Sequence, residues 1–185
     1  MYMRKVIAGI NMSLDGYCDH TVGIADEELH QHYTQTLNDG GVLLYGRITY
    51  QMMEDYWPSL VKSPSGSPSL DAFAVAIDHI PKVVFSNSLR KLSWDSARLA
   101  TRPLKEEVEH LKQQQGKDIF VGSPSLISAM TELKLIDEYQ LCIHPVIAGK
   151  GLHLFKGLTE LMRLHLLGSK TLGSGATVLY YKPYR

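Results

Sequence analysis

Strand-like stretches alternate with stretches of helical spacing along most of this 185-residue chain. That alternation limits the fold more than any other feature. Residues 4–10 are β-branched and alternate in polarity, an opening strand. Residues 25–37 carry Leu29, Tyr33 and Leu37 at helical spacing, and Asn38-Asp39-Gly40-Gly41 closes them. Residues 42–45 read as a short buried strand and 49–56 as a short helix that ends at Trp57-Pro58. Residues 63–69, rich in Pro and Ser, read as a flexible loop suited to a lid or a variable surface. A helix over 70–79 and strands over 82–86 and 97–101 follow. Residues 104–114 carry a Leu104, Val108, Leu111 stripe, which makes a surface helix. A strand over 118–122 and a helix over 124–133 precede three strands over 138–148, 161–167 and 177–181, the last two joined through Gly173-Ser174-Gly175. Strands separated by helices of this length predict an α/β fold, a mostly parallel sheet with helices on both faces. The three closing strands, with no helical pattern between them, predict an antiparallel edge. At this length the chain is expected to be one domain over residues 1–185, burying roughly 70% of the surface it exposes unfolded.

The junction L-Y-G-R-I-T-Y at 44–50 is where this pattern meets chemistry. A buried strand runs into a glycine turn and then a helix. Gly46 carries no Cβ and lets backbone amides approach an anion. Arg47 adds a planar charged fork for phosphate oxygens, and Thr49 sits where a helix N-terminus leaves unpaired N–H groups. Two more corners follow strands, Ser86-Asn87-Ser88 and Gly122-Ser123. In open α/β sheets ligands bind outside the carboxyl ends of the strands, so three such corners converge on one edge. They suit a dinucleotide, whose phosphates and ribose need several anchors. Gly122-Ser123-Pro124 also reads simply as a helix start, with Ser123 as N-cap and Pro124 at N1.

Formal net charge is zero, so no basic field argues for nucleic acid or an anionic membrane surface. The expected partner is a small molecule or a second copy of the chain. The stretch 1–9 is too short and too soon polar for a signal peptide, and no apolar run reaches membrane-spanning length. Cys18 and Cys142 stand apart and read as reduced thiols of a cytoplasmic protein. The histidines form no ligand spacing, so no metal site is expected. Tyr50 and Trp57 read as core or pocket wall, the side of the pocket that would meet substrate, and not as a base-stacking platform.

Six stretches carry a resemblance: V-I-A-G-I-N-M-S-L-D-G-Y at 6–17, Y-G-R-I-T-Y-Q-M-M-E-D-Y-W-P at 45–58, P-K-V-V-F-S at 81–86, D-I-F-V-G-S-P-S-L at 118–126, L-I-D-E-Y at 135–139 and H-P-V-I-A-G-K-G-L-H-L-F at 144–155. In this order the chain resembles the dihydrofolate reductase-like family. The likeness is to a single-domain branch related to the riboflavin-biosynthesis reductase, the C-terminal domain of the bifunctional deaminase-reductase. The resemblance implies a three-layer fold of about eight strands and a bound reduced nicotinamide cofactor, NADPH with NADH as the alternative. It implies hydride transfer to a small heterocycle or imine, pteridine-like or ribosylaminopyrimidine-like, in a cytoplasmic homodimer.

Matched position by position, Gly46, Arg47 and Thr49 would hold the cofactor phosphates, and Ser86 and Asn87 would lie near the adenosine ribose. Gly122 and Ser123 would lie under the diphosphate, with Ser125 and Leu126 opening the helix behind. Ala8 and the stretch from Asn11 to Gly16 would lie beside the nicotinamide. Ser123 departs from the paired glycine of relatives. Asn87 stands where relatives often carry a basic residue, which weakens a preference for NADPH, although Arg47, Arg90 and Lys91 offer positive charge. For the proton, the folate-reducing branch uses a carboxylate on the first helix; Glu28 aligns best among Asp26, Glu27 and Glu28. These acids equally complement a helix N-terminus. Asp15 is the other candidate acid, and also reads as a turn residue before Gly16. Two other functions stay open: a ligand-binding or assembly module that keeps the fold without turnover, and folate reduction itself.

Overall fold

The computed structural model describes residues 3–184; the first two residues of the amino-terminal stretch read above lie outside them. The elements run β1 Val6–Ser13, α1 Glu27–Asp39, β2 Gly40–Gly46, α2 Arg47–Lys62, α3 Pro68–His79, β3 Lys82–Phe85 and β4 Ala97–Leu99. They continue with α4 Leu104–Gln113, β5 Asp118–Val121, α5 Pro124–Glu132, β6 Glu138–His144, β7 Leu164–Thr171 and β8 Thr177–Pro183. The eight strands form one sheet in the order β4-β3-β2-β5-β1-β6-β8-β7. The pairings from β4 across to β6 are parallel, and β8 runs antiparallel to both β6 and β7.

Strand alternation sorts the core into two layers. Val42 and Leu44 of β2 face one side with Ala8 and Val121, under Val108 of α4 and Ile127 and Met130 of α5. Leu43 and Tyr45 face the other side with Val84 and Phe120, under Leu37 of α1, Tyr50 of α2, and Phe73 and Ile77 of α3. Both faces of the central strands are therefore covered, which is why they read as continuous apolar runs. The β7–β8 turn closes through Leu172 N–H to the Ala176 carbonyl at 2.8 Å and Gly175 N–H to the Leu172 carbonyl at 2.9 Å. Gly175 takes a φ of +83°, open to glycine at no steric cost.

The structure differs from the sequence reading in four places. Helix α2 continues through Pro58 to Lys62. Proline removes one hydrogen bond but does not end the helix, because Trp57 packs edge-on against Phe73 of α3 with centroids 4.6 Å apart. Strand β1 reaches Ser13, paired residue for residue with β6 from Gly9↔Gln140 to Ser13↔His144. Strand β6 stops at His144, before Pro145, and β7 starts only at Leu164. The proline- and serine-rich loop is pinned: the Asp71 carboxylate accepts Ser65 N–H at 2.8 Å and Gly66 N–H at 3.1 Å.

Candidate active site

A cleft of about 910 Å³ opens where the carboxyl ends of β1, β2 and β5 meet the starts of α2 and α5. Its polar half is built by the two helix starts. Gly46, the N-cap of α2, donates its N–H to Ser123 Oγ at 2.9 Å, and Ser123 is the N-cap of α5. A Cβ on Gly46 would lie 3.2 Å from Ser125 Oγ, so the glycine serves close approach of the two helices. Neither N-cap side chain bonds its own first turn, which leaves the amides of both turns as donors. Thr49, Ser125 and Gly122 line this half.

The other predicted cofactor contacts are placed differently. Arg47 is exposed, its Nη1 donating to Gln51 Oε1 at 3.1 Å. Ser86 accepts the N–H groups of Ser88 and Leu89 at 3.2 and 3.0 Å, and Asn87 is exposed. Both follow β3, whose Phe85 pairs with Gly46, so they stand next to the Arg47 turn. Ala8 and Leu126 belong to the core, and buried Ser123 does not line the cleft. Gly16 closes the turn after β1 with a φ of +91°, beside the His153 ring. All described peptide bonds are trans.

The second half of the cleft is apolar, walled by Leu29, Tyr33, Met53, Trp57, Phe73 and Ile77. Gly9 lets Phe120 lie across β1: a Cβ there would meet the ring at 2.6 Å. Trp57 lines this wall, whereas Tyr50 does not line the cleft. Tyr50 is 1% exposed, donates to Glu54 and accepts Trp94 N–H at 3.3 Å, and burial pushes its phenol up to about 12.

Asn11 is a polar side chain of the cleft lining, and a network orients it. His144 Nδ1 accepts Ile24 N–H at 3.1 Å, so Nε2 carries the proton and donates to Asn11 Oδ1 at 3.0 Å. Tyr33 Oη donates to the same oxygen at 3.0 Å. With Oδ1 doubly satisfied, the amide NH2 of Asn11 is the group left for a ligand. His144 is fully buried, and burial holds its pKa below the ordinary value, which keeps the donor tautomer neutral. Tyr45, 2% exposed at the end of β2, also lines the cleft, and burial drives its phenol far up.

Neither predicted acid lies in the cleft. Glu28 is exposed and accepts Gly173 N–H at 2.8 Å, while Asp26 caps α1 by accepting Leu29 N–H at 2.7 Å and takes Ser174 N–H at 3.2 Å. The two carboxylates dock the β7–β8 turn on α1. Asp15 accepts Ser13 Oγ at 2.6 Å and the N–H groups of Ala148 and Gly149 at 3.0 and 2.8 Å, bonds that hold its pKa down to about 2. It clasps the 14–25 loop to the 145–163 segment. Cys18 N–H to the Leu152 carbonyl at 2.8 Å and Leu154 N–H to the Gly16 carbonyl at 3.1 Å extend that clasp.

Asn11, Tyr33 and His144 escaped the sequence reading as a unit. Asn11 and His144 are 133 residues apart, and only the β1–β6 register brings them together.

Comparison with known proteins agrees with this architecture. The model of the RibD C-terminal domain matches residues 4–178. Protein YyaP of Bacillus subtilis (strain 168) is 30% identical over 183 residues, which cover 96% of this chain and 94% of YyaP. Among solved structures, a protein assigned to riboflavin biosynthesis from Shewanella sp. PV-4 superposes with a TM-score of 0.73 at 21% identity, over 98% of this chain and 99% of that one. A diaminohydroxyphosphoribosylaminopyrimidine deaminase/5-amino-6-(5-phosphoribosylamino)uracil reductase of Thermotoga maritima superposes with a TM-score of 0.69 at 17% identity, over 98% of this chain and 57% of that one. Matched along nearly its whole length by the domain model and by YyaP, the chain belongs to the RibD C-terminal domain family, built on a dihydrofolate reductase-like fold.

Proposed function

We propose that this protein is an NAD(P)H-dependent reductase acting on a small heterocycle or its imine. One observation carries the reading: two helix starts with uncapped first turns, joined by the Gly46–Ser123 hydrogen bond, open onto the same cleft as an aromatic apolar wall. Helix N-termini favour anions through free N–H groups and the macrodipole. The first-turn amides of α2 and α5, with the Thr49 and Ser125 hydroxyls, fit a diphosphate. Arg47, Ser86 and Asn87 stand beside that corner, where an adenosine ribose and its phosphate would be met.

The bound cofactor would supply a hydride. The chain supplies position and a dry wall, the principal needs of such a transfer. Trp57 and Phe73 exclude water from the apolar half, and Asn11 offers a fixed amide donor to whatever lies against β1. Glu28 and Asp15 already bind backbone N–H groups, so the accompanying proton is assigned to water at the cleft mouth. Both cysteines are free and buried, which supports a reducing, cytoplasmic setting. Among the described residues no helix is long and apolar enough to cross a membrane.

Titrating NADPH and NADH against intrinsic tryptophan fluorescence tests the reading, because Trp57 lines the cleft. Saturable quenching by either cofactor is expected. No binding of either at millimolar concentration would remove the reductase assignment.

A further inference from the structure

The apolar half of the cleft is poor in exactly the groups that a phosphorylated substrate would need. Among the described residues Lys156 is the sole lysine or arginine lining the cleft, and it comes from the 145–163 segment, not from the walls that α1, α2 and α3 supply. His30, on the α1 wall, is held below its ordinary pKa by burial, so it adds no cation near neutral pH. Asp19, at the rim, accepts Leu152 N–H at 2.7 Å and brings negative charge. A phosphate monoester carries about −1.5 to −2 charge, and its recognition normally draws arginine or lysine. An unpaired charge against Leu29, Met53 and Trp57 would lose its hydration without compensation. The same wall suits a flat ring. Trp57, Phe73 and His30 form a continuous row, with centroids 4.6 Å apart for Trp57–Phe73 and 6.0 Å for Phe73–His30. One oriented donor lines the same cleft, the Asn11 amide, fixed by Tyr33 and His144.

We propose that the apolar half takes a flat, uncharged heterocycle that bears a ring carbonyl and no phosphate, with the Asn11 amide donating to that carbonyl. The inference rests on the reductase reading in one respect, that the polar half belongs to the cofactor. It separates this chain from the phosphoribosylated pyrimidine named for the Thermotoga maritima reductase.

Calorimetric titration of the full chain, with and without saturating NADPH, tests it with lumazine, uridine and uridine 5′-monophosphate. Lumazine should bind about tenfold or more tighter than uridine, and the added phosphate of the monophosphate should bring no gain. Asn11→Asp keeps an oxygen for Tyr33 and His144 but removes the donor. It should weaken lumazine by about tenfold or more, both without NADPH and with NADPH saturating. The uridine pair needs no variant and stands even if Asn11→Asp fails to fold. A tenfold preference for the monophosphate, failure of lumazine to bind, or equal lumazine binding by a folded Asn11→Asp variant would overturn the proposal. Loss of NADPH binding with lumazine binding retained would strike the reductase reading alone.

Discussion

At the scale of single residues, carboxylates in this protein chiefly organise backbone. Glu28 is the sharpest case, because the resemblance to the folate-reducing branch makes it a candidate proton donor while its carboxylate holds the Gly173 N–H. Glu28→Gln retains an oxygen acceptor for that N–H. The variant is therefore expected to keep its melting temperature and to turn over within about twofold of the parent. A fall of roughly two to four orders of magnitude, the usual measure of general acid catalysis, would return the proton to Glu28. The turn reading of Asp15 was legible in S-L-D-G, since aspartate before glycine favours such turns. Its bonds to Ala148 and Gly149, more than a hundred residues away, were not, because local sequence carries no trace of a tertiary partner.

At the scale of elements, the strand–helix corners were legible and their wiring was not. Gly46, Gly122 and Ser123 stand where pattern alone puts them, at strand ends that open helices. Pattern could not show that the Gly46 N–H is spent on Ser123 Oγ, which couples the starts of α2 and α5. Ser123 is fully buried, so Ser123→Ala strands that N–H in the interior. The expected loss is about 1–3 kcal/mol of unfolding free energy, the cost of an unsatisfied buried donor, read from urea denaturation. Cofactor affinity should fall as well, since the two helix starts lose their tie. A stability loss with unchanged affinity would mean the corner holds its shape without the bond. Helix α2 shows the opposite limit of local reading: Trp57-Pro58 is a sound stop signal, overridden by the packing of Trp57 on Phe73.

At the scale of the whole molecule, β7 is the exposed sheet edge, with Leu166 50% and Leu167 48% exposed and Leu161 nearby at 87%. Apolar exposure on an unpaired edge invites a second copy, so a twofold dimer through the carboxyl-terminal strands is expected. Sedimentation as a monomer at micromolar concentration would count against it. Stability should also carry a signature of buried histidines. His30, His32 and His144 all lie below the ordinary value of 6.5, with burial the leading cause in each; Lys170 adds to it at His32, while Asp26 opposes it at His30 and His144. The unfolded chain then binds protons that the folded chain resists, so the folded state is favoured above about pH 6.5 and loses stability as pH falls below it. Lys82, brought down to about 7 by burial, titrates above this window. Asp15, Asp26, Glu54 and Glu107, all held below their ordinary values, add a second loss below about pH 5. Urea midpoints should therefore already be falling at pH 7, where Lys82 is part-way through its titration, and keep falling to pH 5, ahead of the carboxylate range. His144→Gln can donate to Asn11 and accept from Ile24 without titrating, so it should flatten part of that first slope. Midpoints that stay level down to pH 5 would show that the histidines take up protons in the folded chain as easily as in the unfolded one.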